Sequence, residues 1–548
     1  MTQLILYIFI LCFLNLIFFL FGTRFYKIFI SPKALKSSEH IYSYSIFVLL
    51  GMFTVGNILF LLNFFIPIGN ELFFVLFVLI IFFERNSIIL FFKSHKVSLV
   101  VSTTYLVTLY NNNPSTDAFM YHFYSQNLVL NSKIVFGISN FNVSYGIVSI
   151  FEYLSSILWV DNNYFLIQFL NLIVLGTFFN FIFLLKKSSN ILLKNTSFLI
   201  LFVGLLDNFG VNGGRNGFIF IQEIGKFDAT HAILFFITFL YLVIIFDLKK
   251  VKNNEEFYIF LYLSTFLLQI RNFYYLLMLF FVIYLLKNKL LSDVFKVKLF
   301  LFINVLWIFK SIINTSCMVY PVNFTCLSFL PWSFDGNAKY FSNIATTNNR
   351  NPNIKSADFF DFSWVLDFWI KENYSYLVNI LATILLIIFA SKLFQTNKQI
   401  KENDIYLKVM TFIFLLMWFV LFPNYRFASG YFLVLYIVIS LKYLRFNNLI
   451  IKFVEKIKIF NFLFILCFLL VPQISTYKVF FENYDKAIHK KFVVPEINFT
   501  EKNNSYGVKP DGMFCYNNIN CSNSKTVVRK QYFYSYSFFI VESVGQNE

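Results

Sequence analysis

The segment Gln3–Gly22, "QLILYIFILCFLNLIFFLFG", decides the fold, because it runs for the length of a membrane-crossing helix without a charged side chain. A bilayer core requires about 20 predominantly apolar residues in a helix. The segment lacks a basic start and a small-residue cleavage site, so we predict a retained span and not a signal peptide. Similar apolar runs recur through the 548 residues, which indicates a polytopic membrane protein in contact with the lipid bilayer.

The composition favours the same class of protein. The chain is 58% hydrophobic and only 13% charged, against about 25% charged in a typical soluble protein. Its 80 Phe residues accompany many Ile, Asn, Lys and Tyr, a bias typical of AT-rich genomes, so the Phe count carries no functional argument. The net charge of +17 is spread in small clusters between apolar runs. This favours positive-inside loops over a nucleic-acid-binding face, and we expect no nucleic acid as a partner.

We predict an all-α polytopic membrane protein with about 14 (12–14) transmembrane helices. The predicted spans are 3–22, 43–65, 71–84, 97–110, 163–185, 196–207, 229–247, 256–270, 273–286, 299–314, 377–395, 406–423, 430–444 and 459–475. Two of them, 71–84 and 196–207, are short for a full crossing. We expect these to be tilted, half-inserted or longer than the limits given.

The charge of alternate loops gives the predicted orientation. One set of loops contains 26 of the 45 Lys and Arg residues and is therefore predicted to be cytoplasmic. Both termini then lie on the external side. The chain divides into N-terminal helices, a transmembrane core and a small external tail domain, at 1–96, 97–475 and 476–548. Long external loops, with interfacial helices expected in them, are 111–162, 208–228 and 315–376.

The first external loop begins with "NNNPSTDAFMYHFYSQN", Asn111–Asn127. Asp117 opens an amphipathic segment, and helical spacing places Tyr121 and Tyr124 on its face while turning His122 away. An acid at headgroup depth is a candidate catalytic base for a lipid-linked substrate. The alternative is that Thr116 or Asp117 only caps the helix. His122 is expected to be a hydrogen-bonded interfacial histidine.

The next external loop holds a second acid, Asp228, at the point where a span begins. An acid there is costly unless it is paired or functional, although an N-cap is again the alternative. In the same loop, "GGRNG" places Arg215 in a Gly-rich segment that could hold an anion.

Three isolated cations, Arg271, Lys310 and Arg426, are predicted to face the same external side. A cation near the bilayer needs an anionic partner or ligand, unless it extends to the headgroups. Together with the two acids they suggest a phosphate-binding catalytic surface.

The five His residues show no pair at metal-ligand spacing, so we predict no histidine metal site. No cofactor is certain, and a divalent cation held by carboxylates stays open. Four cysteines fall outside the spans, and the simplest disulfides join Cys515 to Cys521 and Cys317 to Cys326.

Several of these motifs resemble a family of uncharacterised bacterial polytopic membrane proteins. The resembling segments are "STDAFMYHF", "GISNFNVSYG", "NTSCMVYPVNFTCLSFLPWSF", "PNYRFASG" and "DGMFCYNNINCSNSKTVVRKQYF". They keep their order from about residue 100 onward, although Tyr516 and Asn520 stand where Trp and Pro are expected. That family in turn resembles the GT-C superfamily of integral membrane glycosyltransferases.

The resemblance implies a GT-C-like core at 97–475 in a bacterial inner (cytoplasmic) membrane, with Asp117 as general base and Asp228 as a second candidate. It implies transfer of a sugar from a polyprenyl-phosphate donor to a glycan or lipid acceptor of the cell envelope. Such a reaction also requires cations on the departing phosphate, and Arg426, Arg271, Lys310 and Arg215 are the candidates, with Tyr121 and His122 near the substrate. The rival functions are a polysaccharide polymerase or ligase of the O-antigen type, and a lipid or solute transporter.

Overall fold

A computed structural model gives the fold for most of the chain. It describes residues 2–30, 43–112, 114–147, 149–160, 163–186, 188, 193–194, 196–197, 199–201, 226–247, 255–271, 275–288, 290–350, 361–393, 402–443, 474–484, 499–500, 509–510, 528–533 and 535–541. Within these residues the chain is mostly helical, as the sequence predicts.

The α-helices are α1 Thr2–Phe29, α2 Ser43–Asn63, α3 Asn70–Glu84, α4 Ile88–Ser94, α5 Lys96–Leu106, α6 Phe123–Asn131, α7 Ile138–Phe141, α8 Ile150–Ser156, α9 Phe169–Leu185, α10 Asp228–Asp247, α11 Glu255–Ile270, α12 Tyr275–Lys287, α13 Leu291–Phe295, α14 Lys298–Thr315, α15 Asp335–Arg350, α16 Ile370–Leu393, α17 Glu402–Leu421, α18 Tyr425–Tyr443 and α19 Ile474–Glu482. Four short strands follow, β1 Phe499–Thr500, β2 Lys509–Pro510, β3 Val528–Phe533 and β4 Tyr536–Val541. The strands pair antiparallel as β1–β2 and β3–β4.

Six helices in the described part of the chain are long and apolar enough to cross a membrane, so the predicted count of about fourteen is not supported. The six are Gln3–Phe29, Tyr44–Asn63, Glu71–Ser94, Phe165–Leu185, Asp228–Phe246 and Lys298–Thr315. Four shorter apolar helices are Lys96–Tyr110, Tyr275–Lys287, Ile405–Leu421 and Tyr425–Val438. A helix of 13 residues, such as α12, reaches only about 20 Å, which is less than a hydrocarbon core of about 30 Å.

The predicted short span 71–84 is longer than predicted, because the helical segment continues to Ser94. Most of the predicted spans 196–207 and 459–475 lies outside the described residues.

The outer surface of the helices carries large exposed apolar side chains. They include Phe82 on α3, Leu279 on α12, Phe302 on α14, Leu385 on α16 and Phe412 on α17. Apolar surface on this scale marks a contact with lipid or with another protein. It therefore agrees with a multi-pass membrane protein.

The N-terminal helices α1 and α2 cross with their backbones in contact. A Cβ atom added to Gly22 would lie 1.6 Å from the Phe47 carbonyl oxygen, and one added to Gly51 would lie 1.6 Å from the Phe18 carbonyl oxygen. Small residues allow such close approach between helices in a membrane. The predicted boundary at 96/97 stays a prediction, since one apolar core joins residues of α1 and α2 with residues as far along the chain as Phe480 in α19.

Contacts between described loop residues form at the ends of the helices. At one end Glu84 is buried and forms ion pairs with Arg24 and Lys27. Nearby, the Tyr26 hydroxyl donates to Glu255. These residues belong to the set of loops that the charge count assigns to the cytoplasm, or lie beside it.

At the other end, the β3–β4 hairpin packs on the first and third long loops. Phe136 donates its N–H to the Ser537 carbonyl and accepts from the Phe539 N–H, each at 2.9 Å. Asn140 Nδ2 donates to the carbonyls of Phe539 at 2.8 Å and of Trp332 at 2.9 Å. We call this assembly the external cap, since all of its parts were predicted to be external.

A disulfide joins Cys317 to Cys326 within the external cap. This is one of the two predicted pairings. The other, Cys515 with Cys521, lies outside the described residues.

We expect Gly51→Leu to destabilise the protein by about 1–3 kcal/mol or more, because the new side chain enters a backbone contact that cannot open locally. The measurement is the melting temperature of the purified protein in detergent. Gly336→Ala is the control, since an added Cβ there meets only the ring of Phe334, an exposed side chain. Equal melting temperatures for the two variants would contradict the close crossing.

We expect Asn140→Ala to loosen the external cap, because it also removes the oxygen that accepts from Asn337 Nδ2 at 2.8 Å. Leaving buried groups unpaired costs about 1–3 kcal/mol. Limited proteolysis should release the β3–β4 hairpin faster than in the wild type. Asn131→Ala, which loses only two exposed hydrogen bonds to Asn127, should be cleaved at the wild-type rate.

Candidate functional site

In the first of the loops predicted to be external, Ser115 caps the N-terminus of the helix. The Ser115 hydroxyl accepts from the Ala118 N–H at 2.9 Å, so the cap is Ser115 and not Thr116 or Asp117, the alternative that the sequence offered. The Asp117 carboxylate is consequently available for other partners. It meets the Arg426 guanidinium at 3.4 Å between Oδ2 and a terminal nitrogen.

The helix begins with a π-helical turn, Ala118–His122, before continuing as α6. The wider turn changes the predicted alignment of side chains. Tyr124 is fully buried and stacks on Tyr145 at 3.7 Å between ring centroids, so it does not share a face with Asp117. His122, as predicted, is turned elsewhere.

Arg426 is positioned by the turn "PNYRF" between α17 and α18. The Asn424 side chain accepts from the Arg426 N–H at 3.2 Å and so fixes the start of α18. Trp418 donates its indole N–H to the Asn424 carbonyl at 2.8 Å, and Trp369 donates to the Pro423 carbonyl. Because the turn is held on both sides, the Arg426 side chain starts from a fixed point.

Arg350, which the sequence analysis did not single out, supports the same turn. Its side chain is buried and donates to the Val420 carbonyl from two nitrogens, at 3.1 and 2.7 Å. A cation at the end of α17 also suits the negative end of the helix dipole. Burial lowers the pKa of Arg350, and the charge of Asp361 opposes this shift. In the sequence, the only sign of this role was that Arg350 lies in a loop predicted to be external.

Asp228 lies at the centre of the charged groups. Its Oδ1 pairs with Arg271 and its Oδ2 lies 3.8 Å from Arg426 Nε. Both guanidinium carbons lie over the ring of Phe427, at 4.5 Å for Arg271 and 4.7 Å for Arg426. Three helix ends, from α10, α11 and α18, therefore meet at one carboxylate.

We call Asp117, Tyr121, Asp228, Arg271 and Arg426 the ionic cluster. Its two acids and two arginines balance in charge. Burial, and then the charge of Asp117, raise the pKa of the Tyr121 phenol, while the two arginines oppose the shift. Tyr121 therefore offers the cluster a neutral hydroxyl group.

The two acids differ in access to solvent. The Asp117 side chain is 30% exposed and the Asp228 side chain is 3% exposed. Only Asp117 can meet an incoming molecule without rearrangement of the helix ends. Asp228 instead holds the arginines in place.

Lys310, expected on phosphate, belongs to a different group of residues. Its ammonium lies 4.2 Å from the Trp307 ring centroid and within the electrostatic reach of Glu152. Glu152 is fully buried and pairs with His122 Nδ1 through one oxygen. We call His122, Gln126, Glu152, Trp159 and Lys310 the imidazole cluster.

Gln126 joins Glu152 to Trp159 within the imidazole cluster. Its amide donates to the second Glu152 oxygen at 2.8 Å and accepts from the Trp159 indole N–H at 2.7 Å. The sequence analysis missed Glu152, although a single acid inside the apolar run "VSIFEYLSSILW" was a readable signal.

Arg215, another candidate for phosphate, lies outside the described residues. Within the part of the chain that the structure describes, no group of three or more His, Cys, Asp or Glu side chains is arranged to hold a metal ion.

The fold and these clusters define a multi-pass helical protein with a charged site at one end of its helices. The chain belongs to the family described as "Domain of unknown function (DUF8201)", whose family model matches residues 4–433. This range contains the whole ionic cluster and the whole imidazole cluster, whereas the β3–β4 hairpin lies beyond it. No curated protein and no solved structure matches the chain.

We expect Asp228→Asn to lower the free energy of unfolding by about 3 kcal/mol, because it leaves two guanidinium groups around a position without charge. Asp117→Asn should cost less than about 1 kcal/mol, since its single ion pair is long and partly exposed. Thermal unfolding of both variants in the same detergent makes the comparison. If Asp117→Asn is the less stable of the two, the assignment of Asp228 as the anchor is wrong.

Proposed function

We propose that this protein is a membrane glycosyltransferase that transfers a sugar from a polyprenyl-phosphate donor to a glycan or lipid acceptor at the outer face of the membrane. One observation carries the proposal: the partly exposed carboxylate of Asp117 lies 3.4 Å from the guanidinium of Arg426, and the buried acid Asp228 lies on another side of the same guanidinium. Such a site offers a proton acceptor and a phosphate-binding cation side by side.

Donor binding would release Asp117 from its contact with Arg426. In the present arrangement Asp117 Oδ2 contacts the Arg426 guanidinium, so it faces a cation and not an acceptor hydroxyl. The phosphodiester of the donor carries the same single charge as a carboxylate, and its two free oxygens can take both nitrogens of a guanidinium fork. When it binds Arg426 and Arg271, Asp117 loses its partner and becomes available to the acceptor hydroxyl.

The transfer step balances in protons and electrons. The acceptor oxygen attacks the anomeric carbon as Asp117 takes its proton. The bond from that carbon to the phosphate oxygen breaks, and its electron pair leaves with the polyprenyl phosphate. Arg271 and Arg426 stabilise the charge on the departing phosphate, and the neutral Tyr121 hydroxyl can donate to it.

We also propose the membrane topology that the sequence predicts and a relationship to the GT-C superfamily. About fourteen spans, both termini outside and a bacterial inner membrane would place the external cap and the ionic cluster on the side where lipid-linked sugars are used. The Cys317–Cys326 disulfide supports an oxidising compartment for the cap. A divalent cation stays open as a cofactor.

We expect Asp117→Asn to abolish transfer while the protein stays folded in the membrane. Purified protein in lipid nanodiscs is given polyprenyl-phosphate sugars, and labelled product is counted. Asp367→Asn, which changes an exposed acid of the third external loop, is the matched control and should retain activity. Full activity of Asp117→Asn would remove the central claim.

The rival function is a polymerase or ligase of the O-antigen type, which the two arginines favour. Arg426→Lys separates the two, because lysine keeps the charge and loses the fork. In the proposed transferase both Asp117→Asn and Arg426→Lys lower activity. Loss in Arg426→Lys with retention in Asp117→Asn favours the rival.

A further inference from the structure

The imidazole cluster has no part in the transfer step described above, yet it borders the ionic cluster on two sides. The His122 ring lies 4.2 Å from the ring of Tyr121, centroid to centroid. It also meets edge-on, at 5.8 Å, the ring of Phe227, the residue before Asp228. His122 is therefore a direct neighbour of the candidate site.

Glu152 determines how the imidazole is presented. Both carboxylate oxygens accept hydrogen bonds, one from Gln126 and one from His122 Nδ1, and the Lys310 side chain lies within electrostatic reach of Glu152. A carboxylate that only accepts requires the proton to be on Nδ1. In the neutral form of the ring, the other nitrogen, Nε2, then carries a lone pair.

Nε2 is the reactive end of this arrangement. Within the described residues it has no hydrogen-bond partner, and the His122 side chain keeps 13% of its surface exposed. A lone pair can accept only from an O–H or N–H group. The negative charge of Glu152 behind the ring also disfavours an anion at this position.

We propose that His122 forms an acceptor subsite, in which Nε2 accepts a hydrogen bond from a hydroxyl group of a sugar-type acceptor. Glu152 is the positioning residue, because it fixes the ring and its proton. The choice of a sugar rests on the proposed function. The two substrates then have fixed positions. The anionic phosphate of the donor lies at Arg271 and Arg426, and the hydroxyl-bearing acceptor lies at His122.

Labelling of His122 tests the subsite without measuring transfer. Full-length protein in lipid nanodiscs is treated with diethyl pyrocarbonate near neutral pH, and modification of His122 is followed by mass spectrometry. The probes are methyl glucoside and inorganic phosphate. We expect methyl glucoside to slow the labelling of His122 severalfold and phosphate to leave it unchanged. His231, which is buried, is the internal control.

Two outcomes overturn the proposal. If phosphate slows labelling as much as methyl glucoside does, His122 acts as a cation and binds anions. If neither probe slows labelling, His122 is not a binding residue. Because no transfer is measured, either result is separate from a failure of the proposed transferase activity.

Glu152→Gln tests the positioning role. The amide can donate or accept, so the ring loses its fixed tautomer, and protection by methyl glucoside should fall while His122 is still labelled. If Glu152→Gln does not fold, the variant His122→Gln gives a second measurement. In the transfer assay it should raise the KM for the acceptor severalfold and leave the KM for the donor unchanged, and an equal rise in both would contradict the subsite.

Discussion

The arrangement of the site depends on one buried carboxylate placed between two guanidinium groups. Asp228 begins α10, while Arg271 follows α11 and Arg426 lies in the first turn of α18. The two arginines would repel each other over the shared ring of Phe427 if this acid were absent. The carboxylate therefore ties together helices that are far apart in the chain, and it allows the more exposed Asp117 to stay available for chemistry.

Two neighbouring clusters of opposite character follow from this arrangement. The ionic cluster presents guanidinium forks suited to phosphate, and the imidazole cluster presents a lone pair suited to a hydroxyl group. The π-helical turn Ala118–His122 contributes one residue to each cluster. Tyr121 belongs to the ionic cluster and His122 to the imidazole cluster. One turn of helix thereby connects the two clusters.

The sequence predicted the helical class, most helix positions and the meeting of Asp117, Asp228, Arg271 and Arg426, because apolar runs and isolated charges are local signals. It could not predict the role of Lys310, whose partner Glu152 lies 158 positions away in an apolar run. The capping by Ser115 was missed because three neighbouring residues were suitable caps, and the π-helical turn has no clear signature in sequence. The number of spans is not supported within the described residues for another reason, since hydropathy does not show where a helix ends short of a full crossing.

The external cap has a consequence for biosynthesis. Its β3–β4 hairpin supplies the carbonyl of Phe539 to Asn140, a residue made almost 400 positions earlier. Until the hairpin has been synthesised, Asn140 can pair only with residues of the third long loop, Trp332 and Asn337. A chain that stops before residue 528 would contain the described helices and lack β3 and β4, which complete the external cap.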